Sequence, residues 1–84
     1  MAEWIDDLAT AFGLEPLSDR ESEELLRIAR DVAHRVERKD TPLAAFLLGM
    51  HVAARAGDGS SRAETLGAAV AEIQALLPST DPGP

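Results

Sequence analysis

The chain has no cysteine, which excludes disulfides and thiolate metal sites. Bases are scarce: 8 against 15 acids, for a net charge of −7. That balance argues against a general electrostatic footprint on nucleic acid. Large apolar side chains are also few. Hydrophobic residues make up 45% of the 84 positions, but fifteen of these are alanine. A core built from this set is thin, and thin cores often gain stability by association. The first ten residues, MAEWIDDLAT, carry acids where a signal peptide needs a basic region, so no such leader is expected. No apolar run is long enough to span a bilayer. A soluble, cytoplasmic protein is the expectation. Chemistry-bearing patterns are missing as well. There is no glycine-rich phosphate loop, and no serine sits in a nucleophile elbow. Adjacent acids such as Asp6 and Asp7, or Glu23 and Glu24, do not face each other on a helix, so acid–base catalysis finds no support.

What is present is helical periodicity. Trp4, Ile5, Leu8 and Phe12 recur at helical spacing and predict a first helix over 2–12, with Gly13 ending it. Leu14-Glu15-Pro16-Leu17 reads as a connector, because Pro16 disfavours helix at Glu15. Ser18-Asp19-Arg20-Glu21 is a capping box. It opens a helix over 19–39 whose acids lie early and whose bases lie late, as the helix dipole favours. Thr41 is the expected N-cap of the next helix, with Pro42 at its first position, over 42–56. Gly57-Asp58-Gly59-Ser60 reads as a flexible loop. A second capping box, Ser61-Arg62-Ala63-Glu64, opens a helix over 62–77, stopped by Pro78. The predicted fold is all-α: a small four-helix bundle around an antiparallel hairpin of helices 2 and 3. One domain is expected over 1–77, with a disordered tail over 78–84. The expected core comprises Trp4, Leu8, Phe12, Leu25, Ala29, Val32, Val36, Leu43, Phe46, Leu47, Met50, Leu66, Val70, Ile73 and Leu77.

Helix 3 is the most informative stretch. Leu43, Phe46, Leu47, Met50 and Ala54 share one side of its wheel. Leu48, Val52, Ala44 and Ala45 take the other, and only His51 and Arg55 interrupt it. A helix apolar all round must be covered on several sides, by its own domain or by a partner. With the first side assigned to the core, Ala45, Leu48 and Val52 are expected to form an exposed contact with His51 and Arg55 at its rim. Its occupant would be a second copy or another protein.

The remaining candidates have plain alternatives. Arg27, Arg30, His34 and Arg38 form a basic row on helix 2. Arginine forks suit a phosphate or an acidic surface, while spaced neighbours such as Glu23 and Arg27, or Asp31 and Arg35, make a solvated face the simpler reading. His34 and His51 lack a coordination set, so surface or interface histidine is preferred over metal ligand. Trp4 is either an interface anchor or, more simply, a lid over the core. No catalytic, metal or cofactor-binding residue is assigned.

Three segments together carry a resemblance. They are Glu3-Trp4-Ile5-Asp6-Asp7-Leu8, Leu14-Glu15-Pro16-Leu17, and LLRIARDVAHRVERKDTPLAAFLLG from Leu25 to Gly49. Together they resemble a small helical domain of actinobacteria with no assigned activity. That domain occurs alone or fused to the molybdenum cofactor guanylyltransferase, the enzyme that attaches GMP to molybdopterin. The resemblance implies a non-enzymatic accessory or interaction module in molybdopterin-guanine dinucleotide biosynthesis or molybdoenzyme maturation. Its implied partner is a guanylyltransferase or a molybdoenzyme. It transfers no catalytic residue. The alternative is a small self-associating helical protein with no cofactor role.

Overall fold

The computed structural model describes residues 3–55 and 61–78. Among the described residues four helices follow in order: α1 Glu3–Ala11, α2 Asp19–Arg35, α3 Asp40–Ala54 and α4 Arg62–Leu76. No strand occurs among the described residues. The all-α class and the number of helices are as the sequence predicts. The loop over 57–60, and the tail beyond Pro78, lie outside the described residues.

The best-specified helix start is that of α2. Ser18 is extended, at φ −74° and ψ 165°. Its hydroxyl accepts the Glu21 N–H at 3.1 Å, and its own N–H donates to Glu21 Oε1 at 2.8 Å. Both halves of the capping box therefore form, satisfying two otherwise orphaned donors. At Ser61 the hydroxyl accepts the Glu64 N–H at 3.1 Å. The Ser61 carbonyl also accepts the Thr65 hydroxyl at 3.0 Å. The reciprocal half of the box is not made there among the described residues.

The turn between α2 and α3 differs from expectation. α2 stops at Arg35, not near 39, and Val36 leaves helical geometry at φ −118° and ψ −94°. The Asp40 and Thr41 N–H groups bond back to the Glu37 and Arg38 carbonyls. α3 then begins at Asp40, so Pro42 is its third residue. Proline fits anywhere in a first turn, where N–H groups have no intrahelical acceptor. Thr41 does not cap. Its hydroxyl donates to the Ala29 carbonyl at 3.4 Å, tying α3 to α2.

Helices α2, α3 and α4 pack against one another. Arg62 meets Glu21 near the starts of α4 and α2, and Gln74 meets Asp31 further along both. These two helices therefore run parallel, and α3 runs antiparallel between its neighbours. The core is Ile28 and Val32 of α2, Leu48 of α3, and Leu66, Ala69 and Val70 of α4. Leu25, Ala44, Val52, Ile73 and Leu77 pack around it.

That core corrects the expected one on two counts. Leu43, Phe46, Leu47 and Met50 are exposed, and Leu48 is buried at 4% exposure. Both sides of α3 are apolar, so its wheel alone could not choose between them. The inward arc, Ala44-Leu48-Val52, carries one large side chain between smaller ones and faces Ala69 and Val70. Small residues at a crossing let helix axes approach closely, whereas Phe46 and Met50 would hold them apart. The second correction concerns α1. No Cα of this helix comes within 8 Å of a Cα of α2, α3 or α4. Trp4 and Phe12 are therefore exposed, at 71% and 70%, and Val36 lies open beyond the shortened α2.

Candidate interaction surface

The outer arc of α3 carries Leu43, Phe46, Leu47 and Met50, all more than half exposed. It borders a groove between α3 and α4. One end of the groove is an open cleft of about 340 Å³ bordered by Val36, Leu43, Leu47, Leu76 and Leu77. The middle, about 250 Å³, continues past Leu47 and His51 on one wall and Ile73 and Glu72 on the other. Apart from Asp40, His51 and Glu72, the lining of these two stretches is apolar. Exposed apolar patches of more than a few hundred Å² are uncommon on soluble monomers and mark contact sites.

The residues expected to form the contact divide. Ala45 and Arg55 are exposed and His51 is half-buried. Leu48 and Val52 belong to the core and its margin, so the expected patch does not exist as drawn. The exposed apolar side of α3 is the opposite one. His51 and Arg55 stand at the far end of the groove, where about 160 Å³ opens between α3 and α4. Arg55 Nε donates to His51 Nε2 at 3.2 Å. Glu72 Oε1 lies 3.6 Å from the same nitrogen, a contact that becomes an ion pair only when the imidazole is protonated.

A second apolar surface lies on α1. Trp4, Ile5, Leu8 and Phe12 fall within one 100° arc, and no residue of the helix is buried. Its end is firmly set. Gly13 adopts φ +74°, a conformation costly for residues with a Cβ. The Leu14 N–H reaches the Ala9 carbonyl at 2.8 Å, and the Gly13 N–H reaches that of Thr10 at 3.0 Å. This is a Schellman termination.

Immediately downstream the connector is clamped by Arg62, a residue the sequence did not single out. Its guanidinium forks onto Glu21, with Nε to Oε2 at 2.7 Å and Nη2 to Oε1 at 2.8 Å. It also donates to the Glu15 and Pro16 carbonyls, at 2.9 Å each. Glu21 is buried at 3% exposure. The Arg62 guanidinium, aided by the Ser18 amide and hydroxyl, outweighs the cost of that burial and holds the carboxyl at about 2, well below its ordinary 4.5. The same pairing raises the Arg62 pKa. Four of the five Arg62 N–H groups and both Glu21 oxygens serve the fold, linking three segments at one point. The partner of Glu21 lies 41 positions away, so the capping box was legible and the clamp was not.

The basic row stays in solvent. Arg27, Arg30, His34 and Arg38 are all exposed. The ion pairs of the described residues are Lys39–Glu37 and Arg62–Glu21, with His51–Glu72 a third when the imidazole is protonated, and none involves the row. Asp31, expected beside Arg35, accepts from Gln74 instead. Among the described residues, no group of three or more potential metal-binding side chains comes together, and no helix is long and apolar enough to cross a membrane.

A bundle of α2, α3 and α4 with an exposed apolar flank on α3 has the form of a small all-α domain. Residues 1–83 match the model of the family described as Domain of unknown function (DUF6457), and the chain belongs to that family. No curated protein and no solved structure matches it.

Proposed function

We propose that this chain is a protein-interaction module, without catalysis of its own, acting in molybdenum cofactor maturation. The observation that carries the interaction reading is the outer arc of α3, four large apolar side chains left in water beside an apolar groove. Such a surface fits a helix laid along it, with apolar anchors in the groove and polar groups at the rim. The link to the cofactor is supported by the resemblance of the segments around Trp4, Pro16 and Leu25–Gly49. By that resemblance the domain stands alone or beside a guanylyltransferase. The proposed partner is accordingly a molybdenum cofactor guanylyltransferase or a molybdoenzyme.

The test is affinity capture from the native host, read by mass spectrometry, with wild type and Leu47→Glu in parallel. Enrichment of a guanylyltransferase or molybdoenzyme by wild type, lost in the variant, supports the reading. Capture of either enzyme equally by both chains removes the α3 arc from the contact. Recovery of nothing beyond the chain itself refutes the cofactor link.

A further inference from the structure

Two apolar surfaces of this chain stand uncovered, and they suit each other. One is the stripe of α1, Trp4, Ile5, Leu8 and Phe12. The other is the outer arc of α3 with its groove. We infer that two copies exchange their first helices, α1 of each lying on the α3 arc and groove of the other. This rests on the reading of the α3 arc as a docking surface, and names what covers it in the isolated protein.

Three observations support a second copy as the occupant. The first is the local geometry of the connector. The Schellman turn sets the exit from α1 through Leu14, and Arg62 holds the next two carbonyls, of Glu15 and Pro16. Little freedom remains for α1 to turn back on its own bundle, and in the structure no Cα of α1 comes within 8 Å of a Cα of the other helices. The second is charge. The polar side of α1 carries Glu3, Asp6 and Asp7 and no base. At the start of the α3 arc stands Lys39, one turn before Leu43, with Arg38 beside it. At the far end stand His51 and Arg55. Asp40 and Glu72 also line the groove, and Glu37 lies 3.7 Å from Lys39, but the bases bracket it. Opposed rim charges favour the encounter and set its register.

The third observation is area. Trp4, Phe12 and Phe46 each leave most of a large side chain uncovered, where one aromatic can bury roughly 150–250 Å². With the aliphatic residues of both surfaces, the uncovered apolar area is on the order of 1,000 Å² per chain, against about 800 Å² per partner in a standard stable interface. The two contacts are identical and reciprocal, so a two-fold axis closes the assembly at two chains.

The experiment uses the full chain and sedimentation across a wide range of concentration. Wild type is expected at twice the chain mass of 8.9 kDa. Trp4→Glu and Phe46→Glu should each stay helical by circular dichroism, since both side chains are exposed. Each should weaken association by roughly a thousandfold, because every dimer loses an aromatic anchor twice. The decisive sample is their equimolar mixture. In the mixed pair, one wild-type α1 still meets one wild-type α3 arc, so the mixture should associate where neither variant does alone. A monomeric wild type overturns the inference. So does a Trp4→Glu chain that still dimerises, which would assign the contact to α3 against α3. Loss of helicity in both Phe46→Glu and Leu47→Glu would put the arc in the core and overturn it as well. None of these results depends on capturing a guanylyltransferase, so this inference and the proposed function can fail separately.

Discussion

Glu21 performs two tasks with one carboxylate. Oε1 closes the capping box of α2, and both oxygens receive the Arg62 fork. Its pKa falls from 4.5 to about 2 on folding, so the folded state favours the charged form. The stability this contributes is complete above about pH 4.5 and is lost as pH falls toward 2. The shift corresponds to a contribution on the order of 3 kcal/mol. Thermal melting followed between pH 6 and 2 should show that loss as a steep acid limb, roughly as wide as the gap between the two pKa values. Glu21→Gln should be less stable at neutral pH and should flatten the limb. Arg62→Met leaves the buried carboxylate with only its Ser18 partners and should cost about 3 kcal/mol by urea denaturation. Ser18→Ala removes only the N-cap acceptor, and about 1 kcal/mol is expected. If Ser18→Ala costs as much as Arg62→Met, the cap and not the clamp dominates this corner of the fold.

At the scale of the element, α3 separates two kinds of apolar residue that look alike in sequence. Leu47 and Leu48 are neighbours, yet one is 65% exposed and the other 4%. Leu48→Ala should cost about 2–5 kcal/mol, the range for emptying a core leucine site. Leu47→Ala should stay within about 0.5 kcal/mol when measured on the monomer. The glutamate pair sharpens the contrast. Leu48→Glu buries an unpaired charge and should unfold the bundle, whereas Leu47→Glu should keep its helical spectrum and cooperative melt. The reverse pattern would restore the arrangement expected from the wheel. Helix starts were easier to read. Ser18 forms the whole predicted box and Ser61 the N-cap half of its own, because capping is settled within four residues. Thr41 was misread for the same reason that it has another role: its hydroxyl finds a carbonyl twelve positions back, on α2.

At the scale of the molecule, α2, α3 and α4 hold the core and α1 stands apart. A fragment beginning at Leu14 should therefore keep one cooperative thermal transition. Mass action also makes the melting temperature of an associating chain rise with concentration. The full chain should show that rise, and the fragment, lacking α1, should not. A fragment that fails to fold would mean that α1 contributes to the core after all. The four helices, the Ser18 and Ser61 N-caps, the Gly13 termination and the all-α class were set by the sequence itself, because each depends on periodicity or on groups a few residues apart. Which side of α3 turns inward was open, since both sides are apolar and the choice rests on how Leu48 packs with the core residues of α2 and α4. The partner of Glu21 was open too, because 41 residues separate it from Arg62. Only the packed bundle decided these two points, and with them which apolar side chains remain in water for another chain to cover.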